Sequence, residues 1–309
     1  MKTKTIILFL FCLNYSSSQW IKSLDTKAGI SDILVHNNTI YAGTYGSGLY
    51  LSKDEGISWK QISSGLTPFR GVHIRCLAIK DSYLFAGVDG DGVFRLSLND
   101  TLWEKANDGF PISDTIGVRV FSLVAKDTNL FAGTFDFLGM YISKNNGVSW
   151  SKSGLTDTCI DALEVNKDTI LAGAAASGGV YLSTDDGITW KETLNDVVYR
   201  FARTDKYLFA CSIRNIFVSN NFGASWSETN FSFPNVITTT VFAIQELLFV
   251  GTYSNGIFLS TDVGKSWDSV NSNFPENATI SSFGTKGDYL FVGTSKNGVW
   301  RRRLLDFKK

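Results

Sequence analysis

From about residue 30 onward, short apolar runs alternate with polar, turn-forming clusters, and the alternation itself repeats. Two apolar residues, then Ala or Val, then Gly recur as IYAG ending at Gly43, LFAG at Gly87 and Gly133, ILAG at Gly173, and LFVG at Gly251 and Gly293. LFAC, ending at Cys211, takes the same place once. The seven copies lie 44, 46, 40, 38, 40 and 42 residues apart. Such a period, with four short strands per unit, predicts the blades of a β-propeller. In the first unit Asp32-Ile33-Leu34-Val35 suits an innermost strand packed on both sides. Asn37-Asn38-Thr39 turns into a second strand over 40–44. Gly46-Ser47-Gly48 turns again into a third, half-buried strand over 48–52, and 59–62 forms the outer one. Ile33 then aligns with Leu77, Leu123, Leu163, Phe201, Val241 and Phe283, all apolar, as blade-to-blade packing requires.

Between the third and fourth strands an octet recurs five times: SKDEGISW ending at Trp59, SKNNGVSW at Trp150, STDDGITW at Trp190, SNNFGASW at Trp226 and STDVGKSW at Trp267. A catalytic group is needed once, so a motif made five times is expected to be structural. Its Asp or Asn (Asp54, Asn145, Asp185, Asn221, Asp262) can accept backbone N–H bonds and hold a turn. Its Gly (Gly56, Gly147, Gly187, Gly223, Gly264) allows positive φ. Its Trp is expected to bury its ring between blades with the indole N–H near the turn. The two Asn variants argue against calcium, whose site would lose a charge. In the second unit Leu98 to Trp103 keeps the Trp and lacks the Gly, so a different turn is expected there.

The octet S/T-x-D-x-G-x-S/T-W resembles the Asp-box, or bacterial neuraminidase repeat, of sialidase-like propellers. The resemblance covers nearly the whole chain after its first 18 residues. The resemblance implies an all-β propeller, and the seven copies of the period make it a single seven-bladed one of four-stranded blades spanning 19–309. The last unit ends after a third strand, and Trp20 to Leu24 resembles an outer strand with nothing before it. The N-terminal strand is therefore expected to complete the seventh blade, closing the ring and removing an exposed edge.

Composition narrows the function classes. Residues 1–18 have the layout of a secretory signal: Lys2 and Lys4, an apolar run from Ile6 to Leu13, then Ser16-Ser17-Ser18. About eight apolar residues fall short of the roughly 20 a membrane span needs, so secretion or periplasmic export without an integral membrane segment is expected. Without Lys2 and Lys4 the 29 basic residues become 27 against 29 acidic, which gives no basic footprint for nucleic acid. Cys76, Cys159 and Cys211 each lie in an apolar stretch and are expected as buried thiols rather than disulfides. With two histidines and no CxxC, no metal site and no cofactor are expected.

Function is expected on the loop face opposite the Asp-boxes, since long loops on a rigid scaffold are where binding is placed. The loops between second and third strands carry Tyr45, Asp89, Asp91, Phe135, Asp136, Arg214 and Tyr253. The blade-to-blade connections include Pro68 to Gly71 and Phe110 to Arg119, and bring Asp32, Arg75, Arg119, Asp161, Tyr199 and Arg200 toward the channel mouth.

Two function classes follow. The first is a monomeric, non-catalytic platform binding a protein, peptide or glycan, similar to photosystem II assembly-factor-like and sortilin-type propellers. The second is an Asp-box glycoside hydrolase. Sialidases imply an arginine triad, a Tyr–Glu pair and an Arg-Ile-Pro element, and Phe69-Arg70-Gly71 is the nearest approach to the last. Xyloglucanase-type enzymes imply two propellers and a carboxylate pair, for which Asp89, Asp91, Asp136 and Asp161 would be the candidates.

Overall fold

The computed structural model describes residues 19–66, 71–111, 117–175 and 178–308. The signal-like segment 1–18, and the loop positions Pro68 to Arg70 and 112–116, lie outside the described residues. Seven four-stranded antiparallel sheets follow one another around a ring. Their innermost strands are Gly29–His36, Ile74–Lys80, Val120–Lys126, Ile160–Asn166, Arg200–Arg203, Thr238–Ile244 and Ile280–Lys286. Among the described residues the one helical element, Leu304–Phe307, is a single 3-10 turn.

The repeated Gly is where neighbouring blades meet. A Cβ on Gly43 would lie 2.7 Å from the Ile74 side chain, and one on Gly293 would lie 2.6 Å from Ile30, each on the next blade's inner strand. At Cys211 the space is instead filled by sulfur, which contacts Thr238 Oγ1 at 3.3 Å. The aligned apolar series is buried at Ile33, Leu77, Leu123, Leu163, Val241 and Phe283, and partly buried at Phe201. Cys76, Cys159 and Cys211 are buried free thiols, as expected.

Each Asp-box is a closed hydrogen-bond unit. In STDDGITW, Ser183 Oγ donates to Asp185 Oδ1 at 2.8 Å and accepts from the Gly187 N–H at 2.9 Å. Asp185 in turn accepts from the N–H of Thr189 at 2.9 Å and from its hydroxyl at 2.6 Å. Hydrogen bonds from the following Thr or Ser hold the carboxyls of Asp54, Asp185 and Asp262 down at about 2. Asn fits the same place because its Nδ2 donates where Asp accepts, as from Asn145 to Ser149 Oγ at 2.9 Å. Two consecutive left-handed residues, Asp186 at φ 58° and Gly187 at 82°, form the tip.

The indole N–H groups meet the expectation in two octets and depart from it in three. Trp190 and Trp267 donate to their own turn glycine carbonyls, Gly187 and Gly264. Trp59, Trp150 and Trp226 reach across to the neighbouring blade, to Ser23 Oγ, Ala106 O and Thr193 Oγ1. Of the five rings only Trp150 is fully buried. The outer strands that follow the octets are mostly two residues long, which leaves one side of the indole at the rim. In the second blade the turn does differ: Asp100 N–H bonds back to Ser97 O, and Trp103 Nε1 bonds to Ile62 O of the first blade.

Replacing Ser183 by Ala should cost about 1–3 kcal/mol, because the buried Gly187 N–H loses its acceptor. Urea unfolding monitored by tryptophan fluorescence would measure it, and a change under 0.5 kcal/mol would show the unit to be decorative.

The N-terminal strand closes the ring. Ile21–Leu24 pairs antiparallel with Val299–Arg303, completing the seventh sheet.

Candidate binding site at the channel mouth

The inner strands share an irregularity that determines what lies on the loop face. In six of the seven, the pairing register slips at one position near the strand start, between Ile30 and Asp32, Ile74 and Cys76, Val120 and Ser122, Ile160 and Ala162, Thr238 and Thr240, and Ile280 and Ser282. The extra residues are Ser31, Arg75, Phe121, Asp161, Thr239 and Ser281. Tyr199 takes the equivalent place just before the fifth inner strand, its N–H bonded to Cys211 O. A β-bulge leaves one residue unpaired and re-aims its side chain.

Five of these seven positions, Arg75, Phe121, Asp161, Tyr199 and Thr239, line one pocket of about 440 Å³. Tyr45, Arg200, Ile213, Ile237 and Thr238 complete its wall. Of the residues expected from sequence, the structure therefore gathers Tyr45, Arg75, Asp161, Tyr199 and Arg200.

Arg75 organises one side. Its Nη2 pairs with Asp89 Oδ2 at 2.7 Å and its Nη1 donates to the Tyr45 hydroxyl at 3.4 Å. Its guanidinium lies 4.6 Å from the Phe121 ring centroid and 5.1 Å from that of Tyr45. Such cation–π contacts stiffen a long side chain that would otherwise lose rotamer entropy on binding. Phe121 stacks on Phe135 at 4.8 Å, and Arg119 lies 4.4 Å from the Phe135 ring while forking onto Asp136 through Nε and Nη2. Arg119, Phe135 and Asp136 thus form a shelf beside the pocket rather than its wall.

The opposite side holds Asp161 and Arg200. Asp161 is only 8% exposed, and its Oδ1 has no hydrogen-bond partner. Burial raises its pKa from 3.8 to about 6, against the opposing pull of Arg200 and Arg75. Arg200 Nη1 donates to the carbonyls of Tyr199 at 3.2 Å and Asp161 at 3.4 Å. Asp32 belongs to the first inner strand and accepts the Leu77 N–H at 2.8 Å, clasping blade one to blade two; burial raises its pKa as well.

Three expected residues lie apart. Asp91 is buried in its turn, where its carbonyl accepts from Asn107 Nδ2 at 2.7 Å and its carboxylate lies 3.6 Å from Lys105 Nζ. Arg214 is exposed on its loop. Tyr253 is 60% exposed on the same face but outside the pocket wall. Phe121, Thr239, Ile213 and Ile237 were not singled out from sequence. The first two had a signal: they stand two residues before the aligned apolar positions Leu123 and Val241, as Arg75 and Asp161 stand before Leu77 and Leu163.

Residues 181–192 match the BNR/Asp-box repeat model. No curated protein matches the chain. Among solved structures, the fold is similar to YCF48 from Cyanidioschyzon merolae, at 12% identity and a TM-score of 0.72 over 92% of this chain and 98% of that one. A structure of YCF48 bound to D1 peptide is similar at 14% identity and 0.69, over 94% and 96%. The GH74 xyloglucanase from Xanthomonas campestris is similar at 15% identity and 0.75, over 93% of this chain and 54% of the enzyme, so this chain spans about half of it. At such identities the likeness is one of fold. The protein is a seven-bladed β-propeller, and one of its five octets lies in the stretch that matches the BNR/Asp-box repeat model.

Proposed function

We propose that this propeller is an exported, non-catalytic platform that binds a peptide segment of a partner protein on the face opposite its Asp-boxes. The observation that carries the reading is the pocket built from equivalent positions of five successive blades, four of them bulges, where rigid aromatic side chains and two arginines converge. Binding hot spots have this composition, with Tyr and Arg held in place before the partner arrives. The structural likeness to YCF48, of which one solved form holds a D1 peptide, supports the same class. Export rests on the signal-like segment 1–18, and mass spectrometry of the secreted chain should find it starting near Gln19.

Selection of a random displayed heptapeptide library on the immobilised protein tests the platform. Enriched peptides should bind a Tyr45→Ala/Arg75→Ala/Tyr199→Ala variant at least about tenfold more weakly, since the variant removes three of the pocket's anchors. Equal binding to both proteins would move the site elsewhere.

One observation favours glycan hydrolysis as a second reading: Asp161, with its pKa raised to about 6, has the character of a general acid in a pocket. Of its possible partners, Asp89 is paired to Arg75 and Asp136 to Arg119. Release of reducing sugar from xyloglucan, lost in Asp161→Asn, would establish that reading over the platform.

A further inference from the structure

The polar groups of the pocket suggest what chemical group it takes. Arg75 and Asp89 neutralise each other at 2.7 Å. Of the remaining charged groups in the wall, Asp161 has one oxygen without a partner, and among the described residues Arg200 makes no ion pair within 4 Å. Arg200 spends Nη1 on two carbonyls, one of them that of Asp161 itself, so its head lies close to the Asp161 backbone. The pocket therefore presents a buried acceptor and a charged donor close together, with opposite charges. Asp32, which also feels Arg200, is held by the Leu77 N–H and is not part of the wall.

A ligand carboxylate would satisfy Arg200 and face the Asp161 carboxylate; an ammonium would do the reverse. A charged group would also give up most of its hydration on entering, at a cost that one favourable and one unfavourable neighbour do not offset. A carboxamide meets both demands without net charge. Its NH2 can donate to the Asp161 carboxylate in the wall and its C=O can accept from Arg200. Phe121, Ile213 and Ile237 supply apolar surface for the methylene stem, and a volume of about 440 Å³ leaves room for flanking peptide backbone.

We propose that this pocket is a specificity pocket for an asparagine or glutamine side chain of the bound peptide. The proposal rests on the peptide-platform reading and deepens it.

The heptapeptide selection described above, followed by binding measurements on synthetic peptides, tests it. Peptides enriched on the protein should share Asn or Gln at one position. Exchanging that residue for its isosteric acid, or for Lys, should weaken binding about tenfold or more, because a buried partner is left unsatisfied or a charge is buried against its like. Asp161→Asn should narrow or reverse the preference for Gln over Glu, and Arg200→Gln should do so for Gln over Lys. Melting temperatures of both variants serve as the folding control, and the Gln-to-Glu comparison on the unaltered protein needs neither variant. Peptides that share an acidic or basic residue at that position, or that tolerate the exchange, would overturn the carboxamide assignment and leave the platform standing. Failure to enrich any peptide over the triple variant would overturn both, and capture of an N-acetylglucosamine conjugate in that case would transfer the amide chemistry to a sugar.

Discussion

Removal of residues 19–26 is expected to abolish the cooperative thermal transition or lower the melting temperature by more than about 10 °C, an effect out of proportion to eight residues. The segment 20–24 touches three blades. It pairs with Val299–Arg303 in the seventh. Ser23 Oγ donates to Gly56 O in the Asp-box of the first, and accepts from Trp59 Nε1. Trp20 sends its indole N–H to Val270 O of the sixth at 2.8 Å and packs on Phe274 and Phe307, with ring centroids 5.0 and 5.9 Å away. Losing a buried Trp alone costs about 3–5 kcal/mol, a large share of the 5–15 kcal/mol by which a domain is stable. The deletion also bares the edge of Val299–Arg303 to pairing with other chains, so aggregation on heating should accompany the loss. Calorimetry of the truncated chain beside Trp20→Ala separates the contributions: the single substitution should lower the melting temperature by roughly 5–10 °C. An unchanged transition in the truncated chain would mean that the ring does not depend on this closure.

Asp161→Asn is expected to stabilise the protein at pH 8 by on the order of 2–3 kcal/mol and to have little effect at pH 4. Its folded pKa of about 6 lies above the ordinary 3.8. A carboxyl with a raised folded pKa holds its proton more tightly when folded, so the cost of its charge is fully present above pH 6 and fades as pH falls toward 3.8. Glu164, raised by burial to about 7 despite Arg203 Nε at 3.1 Å, should show the same behaviour about one pH unit higher. The Asp-box aspartates work in the opposite direction. Their folded pKa values near 2 contribute stability above pH 4 that is lost as pH falls toward 2. Urea midpoints measured from pH 3 to 8 should therefore peak near pH 4 and fall toward pH 7, and the fall should be shallower in Asp161→Asn. A flat profile for the variant and the unaltered protein alike would show that Asp161 is not charged in a buried setting. If the substitution stabilises the fold and weakens peptide binding together, the charge is retained for function at the expense of stability.

The sequence by itself determined whatever depends on residues near one another in the chain. The Asp-box closes through bonds between Ser183, Asp185, Gly187 and Thr189, all within seven residues, so its role was legible from the octet alone. The blade count followed from the 40-residue period, and the ring closure from a fourth strand missing at one end and spare at the other. The tertiary structure decided what depends on contact between blades. Whether an indole bonds its own turn, as at Trp190, or the neighbouring blade, as at Trp150, depends on the reach across an interface that no local pattern encodes. The pocket was half legible: Arg75, Asp161 and Tyr199 stand out as charged or aromatic residues near the channel mouth, whereas Phe121 was not singled out. It enters the pocket because a one-residue slip in pairing turns a side chain from the blade interface toward the mouth, and that slip exists only once the second strand is in place to set the register.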